Sequence, residues 1–131
     1  MAQVSPMLAV SDAAAAIAFY KDAFGAIERW RIDADGSLVA GLEIDGAELF
    51  LASANPPRTT GPSEIGSTTV RIELFVDDPA AVLERAVAAG ATPGSPVVEH
   101  EHQTVDGGPF RMLQGGVVDP FGHTWLIGRF L

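Results

Sequence analysis

The strongest constraint on how this chain folds is a phrase it contains twice. Leu-Ala-Val-Ser-Asp at 8–12 opens an alanine-rich helical stretch closed by Gly25-Ala26, and Leu-Phe-Val-Asp-Asp at 74–78 opens another closed by Gly90-Ala91. The offset is 66 residues between Asp12 and Asp78 and 65 between the glycines, about half of the 131-residue length. The chain therefore reads as two copies of one strand-helix-strands unit. A site shared between the copies is the natural location for function.

The length suits a single domain, 1–131, with a core large enough to need neither disulfides nor a structural metal. No cysteine is present, which excludes disulfides, thiolate zinc sites and cysteine nucleophiles. Seventeen acidic against eight basic residues give a formal charge of −9, which repels phosphate backbones and anionic lipid, so no nucleic acid and no membrane is expected as a partner. Met1-Ala-Gln-Val-Ser-Pro lacks the basic start and long apolar core of a secretory signal, and the apolar run at 13–20 is too short to span a bilayer. The expected location is cytoplasmic.

Along the chain, 3–10 is an extended run and Asp12 an N-cap for a helix reaching Phe24, with Ile17, Tyr20 and Phe24 on its apolar stripe. Gly25 supplies a left-handed stop. Strands are expected at Ile27–Asp33, Leu38–Ile44 and Glu48–Ala52, joined by turns at Asp35-Gly36 and Asp45-Gly46. Turn-rich 54–68 separates repeat one (3–53) from repeat two (69–131). The second copy has a strand at Val70–Val76, a helix capped by Asp78 with Pro79 first, and strands near Pro96–His100, Arg111–Val118 and Thr124–Phe130. An irregular loop is expected around Thr104–Pro109. Each copy thus reads β-α-β-β-β.

The paired Val-Ser-Asp and Val-Asp-Asp phrases, Ala-Ile-Ala-Phe-Tyr-Lys-Asp-Ala-Phe-Gly-Ala at 16–26, and Val-Val-Asp-Pro-Phe-Gly-His-Thr-Trp at 117–125 resemble the vicinal oxygen chelate superfamily. That superfamily includes glyoxalase I, extradiol dioxygenases, fosfomycin-inactivating transferases and bleomycin-resistance proteins. The resemblance implies an α+β fold of two tandem βαβββ modules forming a curved mixed sheet around a concave site, often completed by dimerisation. It does not choose among the many chemistries such folds host.

Metal-dependent members of the superfamily carry a ligand on the first strand of each repeat, usually His, and another on the last, usually Glu. The resemblance puts Ser5 and Arg71 at the first-strand positions and Phe50 and Leu126 at the last-strand ones. Ser5 is a weak neutral oxygen, Phe50 and Leu126 have no donor atoms, and Arg71 is a permanent cation. No metal or other cofactor is therefore expected. Shifting the register by two brings Glu48 and Glu73 into play, and two carboxylates can hold a hydrated Mg²⁺ or Ca²⁺, so a divalent ion is the alternative.

Arg71 has two readings of equal weight: a forked contact to a ligand carboxylate, phosphonate or phenolate, or a salt bridge to Glu73 or Glu48. Trp30, Phe50 and Leu126 are expected as apolar walls of the concavity, and Arg111 and Gln114 as polar groups that orient a ligand. Trp125, facing opposite to Leu126, should pack on the helices. His100 and His102 flank Glu101 and read as a solvated charged edge, while His123 and Asp119 read as hydrogen-bonding groups of the Asp-Pro-Phe-Gly-His turn. The Gly-Gly pairs at 107–108 and 115–116 lack the strand-to-helix context of a phosphate cradle.

The expected function is a metal-independent binder of a small molecule, antibiotic-like or an aromatic metabolite, acting as a homodimer. The alternative is a lyase, isomerase or related enzyme in which Glu73 is the general base and Arg71 stabilises an oxyanion.

Overall fold

A computed structural model describes all residues, 1–131. The first half contains β1 (Met7–Val10), α1 (Ala13–Phe24), β2 (Ile27–Ala34), β3 (Ser37–Ile44) and β4 (Ala47–Ser53). A short helix, α2 (Pro62–Ile65), precedes the second half. There follow β5 (Arg71–Phe75), α3 (Pro79–Ala89), β6 (Thr92–Pro93), β7 (Val98–Gln103), β8 (Pro109–Val118) and β9 (Thr124–Phe130).

Local chemistry sets these elements. The Asp12 carboxylate accepts from the Ala15 amide at 3.0 Å and Asp78 from the Ala81 amide at 3.1 Å, so both helices start on the acid the repeat supplies. At each Asp-Gly turn both residues have positive φ: 52° and 82° at Asp35-Gly36, 46° and 88° at Asp45-Gly46. That conformation matches the twist of a two-residue hairpin and is tolerated by Asp and Gly.

The strands form two mixed sheets. The first has order β1-β4-β3-β2; the second has order β5-β9-β8-β6, with β7 also paired to β8. In both, the first strand runs parallel to the last and the other pairs are antiparallel. The duplication extends to register. Met7 faces Phe50 and Phe50 faces Gly41 in the first sheet; Glu73 faces Leu126 and Leu126 faces Gly116 in the second.

The α+β fold of two modules is as expected, with the curved mixed sheet divided into one sheet of four strands and one of five. β6 escaped the sequence reading because two residues carry no periodicity. β7 runs 98–103 rather than 96–100, because Val-Glu-His-Glu-His-Gln has no apolar alternation to mark its limits. The turn-rich stretch before Thr69 also holds α2, with Pro62 in its first turn.

One core serves both halves. Ile17, Tyr20 and Phe24 of α1 are buried with Leu42 and Leu51 of the first sheet and with Val117, Trp125 and Ile127 of the second. Trp125 packs on the helix side as expected, its ring 4.4 Å from Phe24 and 5.4 Å from Tyr20, centroid to centroid. Buried Asp119 does more than its turn requires. One carboxylate oxygen accepts the Phe121 and His123 amides, both at 2.9 Å. The other accepts the Tyr20 hydroxyl at 2.6 Å and the Trp125 indole N–H at 2.9 Å. Asp119 thus ties the final turn to α1, and burial followed by the neighbouring carboxylate pushes the Tyr20 phenol well above its ordinary range. His123 also reaches beyond its turn: Nε2 donates to the Ala9 carbonyl of β1 at 2.8 Å.

Candidate functional site

Strand alternation gives each sheet a second face, turned away from the helices. In β3, Leu38, Ala40, Leu42 and Ile44 are buried in the core, so Val39, Gly41 and Glu43 point the other way. On this face of the first sheet Trp30, Gly41 and Phe50 form one cross-strand row. A Cβ at position 41 would lie 2.2 Å from the Trp30 indole nitrogen, so the missing side chain is what lets the indole lie across the strand. Trp30 and Phe50 meet edge to face, with centroids 5.1 Å apart, and both are half-buried. In the sequence, the signal for this row is a glycine inside an otherwise apolar strand.

The corresponding face of the second sheet brings Arg71, Glu73, Gln114 and Leu126 together. Arg71 Nε donates to Glu73 at 3.3 Å, and Gln114 Nε2 donates to the other Glu73 oxygen at 3.0 Å. Gly128 lies opposite Gln114 in β9, where an added Cβ would come within 2.5 Å of the Leu113 carbonyl oxygen. Both Glu73 oxygens are therefore engaged, while the two Arg71 Nη groups make no hydrogen bond within the chain and the side chain is 61% exposed. An open cleft of about 440 Å³, bordered by Thr68, Thr69, Val70 and Thr124, lies against Arg71. A smaller crevice of about 170 Å³ is lined by Pro6, Glu48 and Leu49 from one half and Ile72, Glu73 and Trp125 from the other, so Glu48 and Glu73 border the same space.

Two expected residues behave differently. Arg111 is an odd number of residues from Gln114 in an unbroken strand and so occupies the opposite face. There its Nε donates to Glu99 at 2.8 Å, and this bond holds the guanidinium above its ordinary range. Ser5 and Gln3 both donate to Glu48, so the Ser5 hydroxyl is already committed. The four positions that the superfamily resemblance marks for ligands, Ser5, Phe50, Arg71 and Leu126, therefore offer one hydroxyl, two hydrocarbon side chains and a cation. They do not fit a divalent metal.

Sequence reasoning missed three phenylalanines on the same face as Glu73 and Gln114. Phe75 and Phe130 stack with centroids 4.3 Å apart at 18°, and Phe110 meets Phe130 edge-on at 5.6 Å. All three are exposed. Even-numbered spacing from Glu73, Gln114 and Leu126 was the available signal.

Two halves, each a strand, a helix and a run of strands, with one helix-free sheet face aromatic and the other carrying Arg71, define a class of protein. The chain belongs to the Glyoxalase/Bleomycin resistance protein/Dioxygenase superfamily, whose sequence profile it matches over residues 2–127. Uncharacterized proteins of Mycobacterium bovis and Mycobacterium tuberculosis are 40% identical to it over 132 residues; 96% of this chain is covered, with 82% and 73% of theirs. Among solved structures, a gene product from Arabidopsis thaliana is 25% identical with a TM-score of 0.68, covering 98% of this chain and 99% of its own. TioX from Micromonospora sp. ML1 is also 25% identical, with a TM-score of 0.67 and coverage of 98% and 95%. The fosfomycin resistance protein FosX from Listeria monocytogenes, solved as a point mutant with Mn(II) and 1S,2S-dihydroxypropylphosphonic acid, shares the fold at 17% identity. Its TM-score is 0.62 and the coverage 96% and 87%. No helix is long and apolar enough to cross a membrane.

Proposed function

We propose that this protein is a metal-independent binder of a small aromatic anion and works as a homodimer. The carrying observation is Arg71: an exposed guanidinium with free Nη groups beside an open cleft, at a position where metal-dependent relatives hold their ion. A forked contact from those groups suits a carboxylate, phosphonate or phenolate. Trp30 and Phe50 supply an aromatic surface, and Gln114 and Leu126 border the charged group on the second sheet. We assign the two repeats as 3–53 and 69–131 of one domain.

Surface area supports the dimer. A monomer of 13.7 kDa is expected to expose roughly 6,600 Å². This chain exposes 7708 Å². The excess, roughly 1,100 Å², exceeds the ~800 Å² that each partner buries in a standard interface. Sedimentation equilibrium is expected to give twice the chain mass; a monomer at all concentrations tested overturns the homodimer.

Calorimetric titration with 2-naphthoate tests the site. Saturable binding of one molecule per chain is expected, weakened about tenfold or more by Arg71→Ala, the effect of losing a charge-assisted hydrogen bond. Trp30→Ala should weaken it as well. Naphthoate binding indifferent to Arg71 would sink the reading.

A second reading rests on the crevice that Glu48 and Glu73 share. In it the protein is a lyase or isomerase that holds a divalent ion between Glu48 and Glu73, beside Arg71. Stoichiometric Mg²⁺ or Mn²⁺ lost in Glu48→Gln or Glu73→Gln would favour this reading over the first.

A further inference from the structure

The chain has three histidines and three methionines, and two of the histidines share a sheet face with one of the methionines, outside the lining of the Arg71 cleft. His100 and His102 lie on β7, two residues apart, so their side chains leave the same face of the strand. Their rings are parallel within 5°, with centroids 6.5 Å apart. Directly opposite His100 on β8 is Met112. Cross-strand partners project to the same side with Cβ atoms about 5 Å apart, so the thioether belongs to the same patch as the two imidazoles. Met112 is buried, yet it lies outside the shared core.

His100 is also already oriented. Its Nε2 sits 3.3 Å from the Gln114 carbonyl, which can only accept, so the proton is on Nε2 and the lone pair on Nδ1. A ring whose other nitrogen donates to a backbone carbonyl is the arrangement that fixes the tautomer of a metal-binding histidine. β7 pairs only with β8, and His102 is exposed, so an ion has open access.

We propose that His100, His102 and Met112 form a site for monovalent copper. Two imidazoles and a thioether are borderline and soft donors, a set that favours Cu(I) over Mg²⁺, Ca²⁺ or Mn²⁺, which prefer oxygen. Modest rotation of the exposed His102 ring brings a second nitrogen toward the ion. The site shares no residue with the lining of the Arg71 cleft, and its test does not depend on what that cleft binds.

The experiment is an anaerobic titration of tag-free protein with Cu(I) against a chromophoric Cu(I) chelator. One Cu(I) per chain is expected. His100→Ala and His102→Ala should each weaken it about a hundredfold, and Met112→Leu about tenfold, while Met112→Leu leaves Ni²⁺ binding at the histidine pair nearly unchanged. Thermal melts of each variant establish that it is folded. X-ray absorption of the unmodified Cu(I) protein should show one sulfur with nitrogen neighbours, a readout independent of any variant. Absence of stoichiometric Cu(I), a shell without sulfur, or affinity unaffected by the histidine substitutions overturns the proposal. So does Cu(I) affinity indifferent to Met112→Leu, which would mark a two-imidazole surface chelate only.

Discussion

Asp119→Ala is expected to lower the unfolding free energy by about 4–5 kcal/mol, because it strips four donors of one acceptor group, and each buried donor left unpaired costs about 1–3 kcal/mol. The four are the Phe121 and His123 amides, the Tyr20 hydroxyl and the Trp125 indole. Against a total of about 5–15 kcal/mol for a domain, that loss is about a third of the stability or more. Asp119→Asn should cost less, about 2–3 kcal/mol: one oxygen still serves the two amides, but an amide NH₂ then faces the Trp125 N–H, donor to donor. Tyr20→Phe removes one donor and should cost about 1–2 kcal/mol. Urea denaturation of the three variants checks the order. Equal and small losses would show that the network is a bystander to packing.

The second large effect is alkaline. The folded Tyr20 phenol titrates well above its unfolded value of about 10, through burial first and Asp119 second. The folded chain therefore keeps a proton that the unfolded chain releases. This contribution to stability is intact below about pH 10 and falls by about 1.4 kcal/mol for each further pH unit, reaching nearly 3 kcal/mol at pH 12. Tyr20 is the only tyrosine and Lys21 the only lysine, so few other groups titrate in that window. Phenolate absorbance should appear only as the chain unfolds, and Tyr20→Phe should flatten the stability curve above pH 10. Phenolate forming at ordinary pH while tryptophan circular dichroism stays native would contradict a buried, Asp119-bonded phenol.

Both effects arise at a place where sequence and structure divide. That Asp119 would bond its own turn was legible, because Asp-Pro-Phe-Gly-His is local chemistry. That its second oxygen would reach Tyr20, 99 residues away, was not, since nothing in a linear pattern relates a helix position to a distant turn. The same contrast runs through the candidate site. The Asp12 and Asp78 caps, the Asp-Gly hairpins and the inward face of Trp125 follow from short-range periodicity and turn chemistry. Arg111 reads as a companion of Gln114 because both precede the final turn, yet a three-residue separation in a strand puts them on opposite faces. Gly41 makes room for Trp30 only because the β2–β3 register sets them opposite one another.

The sequence by itself determined the duplication, the strand-helix-strands order of the first half, and the family. All of these depend on residue identity and on contacts within a few positions. Tertiary structure alone decided the rest: that the strands form two sheets over one core, that Arg71 keeps its Nη groups free while Glu73 is held by Gln114, and that Met112 sits opposite His100. Those outcomes depend on strand register and on packing between distant segments, which are set by the shared burial of apolar faces rather than by any local pattern.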